Sequence, residues 1–294
     1  MKNKLLKALT CFAGIFAIGS TIAITSTSCG CSNKQSIRAL PDQVYDIDET
    51  THELKGFKSD FLNNPDSEIY QENFKDCDTM RIPADVTSIG FSAFANTDSH
   101  PAQTLVPSFI TKLTFAKGSQ CSSISGSAFI KAASLTSVTF PSSLVTIQNS
   151  CFGECSRLTT IDFSKCTSLE SFFGSAFRWC SLLTSVDLSN CSKLTTINGY
   201  VFGSCLELTS VIFPSGSITI GDSLFYECSK LNNIEWESWA GSESINLSST
   251  SFSGVCQEKR TVKVIDPTDE AHNSAKLLEY LKTNGGLPDT WNAA

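Results

Sequence analysis

The segment LTSVTF, residues 135–140, recurs along the middle of the chain and decides how the chain folds. Its copies LTTIDF, LTSVDL, LTSVIF and LNNIEW begin at Leu158, Leu183, Leu208 and Leu231. ITKLTF at Ile110 is a further copy, and a degenerate one begins at Thr79. From Ile110 onward, successive copies start 23 or 25 residues apart. Apolar and polar residues alternate at the end of each copy, which predicts short strands stacked into a parallel sheet with a shared apolar interior.

Two further signatures repeat between the strands. The first is F-x-x-C, with members Phe152 to Cys155, Phe177 to Cys180, Phe202 to Cys205 and Phe225 to Cys228, while Phe94 and Phe129 hold the same place without the cysteine. The second is an isoleucine, present at Ile89, Ile124, Ile147, Ile197 and Ile220. Small residues such as Gly126-Ser127 precede the phenylalanine and mark the bends that close each coil, meaning one repeat of the array. A conventional β-sandwich is disfavoured, because chance would not give so many copies in phase.

Together these columns resemble the BspA-like leucine-rich repeat family. The stretch VTSIGFSAF, residues 86–94, is close to the family phrase, and the match extends over residues 77–265. The family's proline after the strand is present at Pro83, Pro141 and Pro214, whereas Ser164 and Ser189 replace it in two coils. The resemblance implies a leucine-rich-repeat solenoid of short parallel β-strands with turns or short helical segments in each coil. It also implies a surface-exposed, often adhesive protein without a shared catalytic site.

The N-terminus is typical of an export signal. Three lysines precede an apolar stretch from Ala8 to Ile24, which is shorter and more interrupted than a spanning helix requires. The following STSC, residues 26–29, resembles a relaxed lipoprotein signal of the mollicute type, which implies cleavage before Cys29 and lipidation of its thiol. Cys31 is an alternative attachment point, and an uncleaved membrane anchor is another alternative. We expect a signal peptide at 1–28, a lipid-anchored tether at 29–46, and a position on the outer face of the plasma membrane.

Both ends of a solenoid need a cap that covers the open apolar face. Leu54, Phe57 and Phe61 fall at helical spacing, so residues 47–76 are predicted to form a partly helical N-terminal cap. After a last strand at Thr261–Ile265, residues 266–294 are predicted to form a helical C-terminal cap. Ala271, Ala275, Leu278 and Leu281 are expected to line the buried face of its helix, and Gly285-Gly286 to end it.

Charge excludes one class of partner. The chain of 294 residues has a formal net charge of −7 and no basic block, which argues against nucleic acid because phosphate neutralisation needs clustered Lys and Arg. Charged residues make up only 17% of the chain, so serine and threonine supply much of the polar surface.

The chain has 13 cysteines, most of them in two columns. One column is Cys155, Cys180, Cys205 and Cys228, and the other is predicted to be Cys121, Cys166 and Cys191. Stacked coils hold side chains parallel, whereas a disulfide needs converging Cβ atoms, so we expect buried free thiols, with a Cys151–Cys155 bridge as the alternative. No C-x-x-C pair points to zinc, and we expect no metal and no cofactor. His52, His100 and His272 lie outside the repeat columns, so no nucleophile has an evident base and no enzyme is predicted.

The sequence favours a non-enzymatic, lipid-anchored cell-surface protein whose solenoid binds a host or matrix macromolecule. The predicted binding face consists of outward strand positions in two rows: Ser137, Thr139, Thr160, Asp162, Ser185, Asp187, Ser210, Ile212, Asn233 and Glu235. The alternative is a structural or antigenic coat lipoprotein without a dedicated ligand. A hydrolase or a solute-binding lipoprotein is disfavoured, because the sequence has neither a catalytic set nor a two-lobed α/β pattern.

Overall fold

The computed structural model describes residues 39–58, 77–95, 106–239, 241, 245–255, 260–265 and 270–293. The predicted signal peptide, the lipidation site Cys29, its alternative Cys31, and His100 lie outside these residues. The strands are β1 Tyr45–Ile47, β2 Glu53–Phe57, β3 Thr79–Ile82, β4 Ser88–Ile89, β5 Lys112–Phe115, β6 Ser123–Ile124, β7 Ser137–Thr139, β8 Thr146–Ile147 and β9 Thr160–Asp162. They continue with β10 Ser171–Phe172, β11 Ser185–Asp187, β12 Thr196–Ile197, β13 Ser210–Phe213, β14 Ile218–Ile220, β15 Asn233–Trp236, β16 Ile245–Leu247, β17 Thr261–Val264 and β18 Asn292–Ala293. Among the described residues, the α-helix α1 spans Glu270–Gly285.

The strands form a parallel solenoid in which each complete coil supplies one strand to each of two sides. The even-numbered strands from β2 to β16, together with β1, form one nine-stranded sheet. The odd-numbered strands from β3 to β17, together with β18, form the opposite side as two sheets, β3-β5-β7-β9 and β11-β13-β15-β17-β18. All pairings are parallel except β1 with β2. Residues at equivalent positions of the sequence repeat therefore lie beside each other in neighbouring coils.

A stack of phenylalanine rings runs through the core. Phe129, Phe152 and Phe177 are fully buried, and neighbouring rings lie 5.1 and 5.3 Å apart at interplanar angles of 6° and 4°. Phe202 continues the stack 5.7 Å beyond Phe177. This confirms that Phe177 and Phe202 face inward in adjacent coils. Burying a phenylalanine side chain contributes about 1.5–3 kcal/mol, and favourable ring pairing adds about 0.5–1.5 kcal/mol. The shared ring column therefore links each coil energetically to its neighbours.

A turn around each F-x-x-C signature closes the coil on a third side, which we call the turn edge. The residues two before and two after the phenylalanine have positive φ, as at Ser175 (60°) and Trp179 (62°) around Phe177. Backbone bonds join these turns from coil to coil, for example from Phe177 N to Val201 O at 2.9 Å. The repeated left-handed positions turn the chain sharply enough to connect the two sheet sides.

The N-terminal cap differs from the predicted helix. Within the described part of 47–76, a β-hairpin replaces it, because β2 pairs with β1 and, in parallel, with β4 through Leu54 and Ile89. Gly56 has φ +146°, and a Cβ at that position would lie 2.8 Å from the Ala93 carbonyl oxygen. The close approach of these two backbone segments requires glycine and extended geometry rather than a helical turn.

Part of the segment predicted as a tether, residues 39–46, is folded against the first coil. Leu40 is fully buried, and its backbone N–H donates to the Thr79 carbonyl at 2.9 Å. Tyr45 is also buried, at 2% exposure, within a segment assigned to the tether at 29–46. These apolar side chains cover the first coil, so residues 39–46 belong to the cap.

The C-terminal helix is present, but its buried face is shifted from the one predicted. Ser274, Leu277 and Leu281 are buried, Leu278 is half-buried, and Ala275 is exposed. The Ser274 hydroxyl accepts a hydrogen bond from Val264 N at 3.0 Å, which turns this face toward β17. The chain then adds β18, so Thr261–Val264 is the penultimate strand rather than the last.

Candidate functional site

The ten predicted binding-face residues lie on one side of the solenoid, along the odd-numbered strands. Ladder register places Ser137 beside Thr160, and Ser185 beside Ser210 and then Asn233. The second row places Thr139 beside Asp162, and Asp187 beside Ile212 and then Glu235. All ten side chains are exposed or half-buried, whereas the residues between them, such as Val186, are buried, except for the half-buried Ile161. The alternation produces a wide face of mostly uncharged polar groups, called the strand face below.

A threonine column holds the strand face together just before each strand begins. The hydroxyl of Thr136 donates to the Thr111 carbonyl at 3.0 Å, and Thr159 donates to Thr136 at the same distance. Thr209 repeats this bond to the Thr184 carbonyl at 3.0 Å. Each bond joins neighbouring coils, so the column fixes the spacing of the rows above it and gives the hydroxyls a structural role.

Asp162 and Asp187 accept hydrogen bonds from backbone N–H groups at the two positions where serine replaces proline. Their Oδ1 atoms accept the backbone N–H of Ser164 and Ser189, each at 2.9 Å. These serines stand where other coils have proline, a residue with no N–H to satisfy. The aspartates therefore complete the turn after the strand in the two coils where serine replaces proline.

Asp162 and Asp187 hold the same strand position in successive coils, but they do not pair across a ladder. The strands that carry them, β9 and β11, belong to different sheets, and no ladder bond sets these two residues side by side. A backbone bond from Thr184 N to Thr159 O, 3.3 Å long, still joins the two coils just before these strands. The strand face is thus two adjoining sheets rather than the continuous sheet predicted. Like charges placed directly opposite each other across strands are destabilising, so an unpaired register suits this position.

Two further parts of the exposed strand surface were not predicted from the sequence. The first is the continuation of the strand face onto β17, where Thr261 lies beside Asn233 and Lys263 beside Glu235. The alternation of polar and apolar residues in TVKV, residues 261–264, could have predicted this continuation. The second is a hydroxyl-rich row on the nine-stranded sheet: Ser88, Ser123, Thr146, Ser171, Thr196 and Thr219. The signal here was the serine or threonine that precedes the inward-facing apolar residue of each of these strands.

Charged groups lie mainly at the two ends of the strand face. Lys112 Nζ contacts Asp78 Oδ2 at 2.7 Å, and this hydrogen bond is the main reason that the pKa of Asp78 is lowered. Near the other end, Asn233 donates to Glu235 Oε1 at 2.6 Å, which links the two rows. The centre of the face is therefore dominated by hydroxyls and the two turn-capping aspartates.

The cysteine column of the F-x-x-C turns consists of buried hydrogen-bond donors. The thiols of Cys155, Cys180 and Cys228 donate to phenylalanine carbonyls of the preceding coil at 3.2, 3.2 and 3.1 Å. Burial raises the pKa of the Cys155 thiol to about 12. Cys151 and Cys155 are both free thiols, so the alternative of a bridge between them is wrong. A thiolate nucleophile is disfavoured in such surroundings.

Cys121 does not belong to the column predicted for it. It lies two residues before Ser123, as Leu144 lies two before Thr146 and Leu169 two before Ser171. Register therefore places Cys121 in a leucine column, where it fills apolar space. Cys166 and Cys191 lie five residues before their strands and form a separate pair.

The described residues form neither a cluster of metal ligands nor a membrane-spanning helix. No group of three or more His, Cys, Asp or Glu side chains is placed to hold a metal within them. His52 lies in the turn of the N-terminal hairpin, 3.8 Å from Asp85. No helix in the described ranges is long and apolar enough to cross a membrane.

Comparison with known proteins places the repeat in a family. The family described as the BspA type leucine-rich repeat region matches residues 18–100 and 105–232 of this chain, with six copies of the repeat. No curated protein matches the sequence.

Several solved structures are similar. A leucine-rich repeat protein of T. pallidum is 23% identical, with 58% of this chain and 80% of that chain covered and a TM-score of 0.33. A leucine-rich repeat protein from Bacteroides ovatus is 17% identical, with coverage of 86% and 89% and a TM-score of 0.35. The pneumococcal vaccine antigen PcpA is 15% identical, with coverage of 74% and 68% and a TM-score of 0.27.

Proposed function

Because the chain belongs to the BspA-type leucine-rich repeat family, we propose that it is a non-enzymatic, lipid-anchored cell-surface protein. In this proposal the solenoid binds a host or matrix macromolecule and so mediates adhesion. The observation that carries the proposal is the strand face, where register aligns two rows of outward side chains over consecutive coils. A surface of this kind suits an extended partner, because each coil offers a further set of contacts at a fixed spacing.

The composition of the strand face supports a macromolecular partner over a small substrate. Its side chains are spread over a broad sheet surface, whereas small-molecule sites are concave and bury most of their ligand. Hydroxyls such as Thr160 and Ser185 are exposed and can donate or accept hydrogen bonds. The described cysteines from Cys121 to Cys228 are buried in the core, so their thiols do not reach this face.

Membrane attachment in this proposal rests on Cys29 and the signal that precedes it. Acylation at this thiol would hold the solenoid at the outer face of the plasma membrane, because two or more buried chains anchor stably. Cys29→Ser should abolish incorporation of labelled fatty acid and leave the precursor uncleaved, while the matched control Cys31→Ser should retain both. Persistent labelling of Cys29→Ser would contradict the anchoring site.

Binding is tested with full-length protein in detergent on arrays of matrix proteins and glycans. Saturable binding to a macromolecule is expected, and it should fall when Thr160→Arg with Ser185→Arg places bulky cations on the strand face. Thr196→Arg with Thr219→Arg on the nine-stranded sheet is the matched control and should bind as the parent does. If no array component binds, the coat-protein alternative is favoured and the adhesive function is contradicted.

A further inference from the structure

A cluster of exposed apolar and aromatic side chains lies on the turn edge, away from the strand face. Six large apolar side chains remain exposed in the described ranges, and four of them come from three consecutive coils: Trp179, Leu182, Leu206 and Tyr226. Their exposed fractions are between 37% and 46%. Single exposed apolar residues are ordinary, but a contiguous patch marks an interaction site.

Arg178 joins the aromatic members into one strip. Its guanidinium carbon lies 4.0 Å from the centre of the Trp179 ring and 4.7 Å from that of Tyr200. Tyr200 in turn packs edge-on against Tyr226, with ring centres 6.0 Å apart. The strip thus runs from Trp179 through the cation to Tyr226 across three turns.

The two leucines extend the strip along the same edge. Leu182 and Leu206 follow the cysteines of two successive coils, and the bond from Glu207 N to Ser181 O, 3.1 Å long, holds these segments side by side. Tryptophan, tyrosine and arginine are the residues most enriched among binding hot spots. Exposed leucines beside them favour a protein partner over a sugar, because they offer apolar contact without hydrogen bonds.

Charge on the strip points to the chemistry of the partner. Within the described residues no carboxylate pairs with Arg178, and its Nε atom is buried without a hydrogen-bond partner. Glutamates of the stacked turns have other partners. Glu154, whose N–H donates to the Arg178 carbonyl at 2.8 Å, lies 3.8 Å from Lys131. Glu227 accepts from Ser204 at 2.8 Å, and Glu207 contacts Lys230 at 2.6 Å. The guanidinium contacts two aromatic rings, and its donor groups match the planar geometry of a carboxylate.

We propose that this turn-edge cluster, formed by Arg178, Trp179, Leu182, Tyr200, Leu206 and Tyr226, docks a protein partner that presents a carboxylate beside large apolar side chains. The apolar side chains of the partner cover the leucines and rings, and the carboxylate pairs with Arg178. This site is separate from the strand face and does not depend on its function.

The test selects peptides from a displayed library of short random sequences on immobilised full-length protein in detergent. Enriched peptides are expected to contain Asp or Glu next to Leu, Phe or Trp, and to bind Trp179→Ala and Leu182→Ser roughly tenfold or more weakly than the parent. Phe91→Ser, which removes an exposed aromatic ring elsewhere (76% exposed), is the matched control and should bind as the parent does. Thermal unfolding of every variant checks that the fold is intact.

A second measurement isolates the role of the cation. The best peptide should bind the parent at least roughly tenfold better than its amide counterpart, with Asn or Gln in place of the acid. Arg178→Met keeps the apolar stem and should remove this preference, whereas a merely structural arginine would leave the preference unchanged.

Three results would overturn the proposal. These are an absence of enriched peptides, enrichment of peptides without an acid, and equal binding to Trp179→Ala. Sedimentation of the parent as a dimer that Trp179→Ala dissociates would assign the patch to a second copy instead. Binding of acidic glycans in place of the peptides would assign it to a sugar. Asp162→Asn with Asp187→Asn on the strand face should leave peptide binding unchanged, which separates this site from the proposed adhesive one.

Discussion

The buried thiol column predicts that the solenoid loses stability in alkali, and Cys155 provides the sharpest case. Its thiol donates to the Phe129 carbonyl at 3.2 Å, and burial raises its pKa from 9.0 to about 12. Above its ordinary pKa the unfolded thiol releases its proton while the folded thiol keeps it, so the unfolded state binds fewer protons. The stabilisation is therefore complete below about pH 9 and is lost as the pH rises toward about 12.

The size of the effect follows from the separation of the two pKa values. Between about pH 8 and about pH 10.5 a thiol of this kind should lower the free energy of unfolding by about 2 kcal/mol, at about 1.4 kcal/mol per pH unit above pH 9. Other groups titrate in the same range, so the measured quantity is the difference between the parent and Cys155→Ser. Serine retains a donor for the Phe129 carbonyl but does not ionise in this range.

The assay is urea unfolding of parent and Cys155→Ser at both pH values, followed by circular dichroism under reducing conditions. The parent should lose about 2 kcal/mol more than the variant between the two pH values. Cys228→Ser provides a second case, because burial also raises the pKa of Cys228 to about 12. Equal losses in parent and variants would show that the thiols are not buried as the structure places them, and would refute the argument.

Two further perturbations test the core and the turns. Phe177→Ala should lower the free energy of unfolding by about 3–5 kcal/mol, because it leaves a cavity between fully buried rings. Amide hydrogen exchange should also increase in the flanking coils, because each coil depends on its neighbours. Unchanged exchange in those coils would contradict the register. Asp162→Ala should cost about 1 kcal/mol in the parent, because it removes the acceptor for Ser164 N–H, but almost nothing in a Ser164→Pro background. Equal costs in the two backgrounds, measured by urea unfolding, would show that Asp162 does not substitute for proline.

The repeat core could be predicted from the sequence alone, because the spacing of the repeats determines which residues of neighbouring coils lie beside each other. The F-x-x-C spacing predicted the phenylalanine stack, and the alternation in LTSVDL predicted that Val186 is buried between the outward-facing Ser185 and Asp187. These features depend only on local periodicity and on the stacking of identical units. The same reasoning located the strand-face rows without any knowledge of their surroundings.

The remaining differences arise from contacts between segments distant in sequence. Leu54 and Phe57, three residues apart, fit a helix and a twisted strand about equally well, and pairing of β2 with β4 decides between them. The helix face was shifted because Ser274, a polar residue, turns inward to satisfy Val264 N. The turn-edge cluster was missed because its members come from different positions of the coil, and only the stacked turns bring Arg178 against Tyr200.

Binding to the strongest array partner by the double variant Asp162→Asn with Asp187→Asn shows whether the strand face takes part in adhesion through its acidic groups. Asparagine keeps an oxygen that can accept the Ser164 and Ser189 N–H bonds, so the unfolding temperature should match that of the parent. If the strand face binds the partner and supplies its acidic side, the variant should bind more weakly, and the deficit should be larger at low ionic strength because salt screens exposed charges. Binding equal to the parent at low salt would contradict the claim that Asp162 and Asp187 supply the acidic side of the interaction, and would leave them as part of a solvated surface.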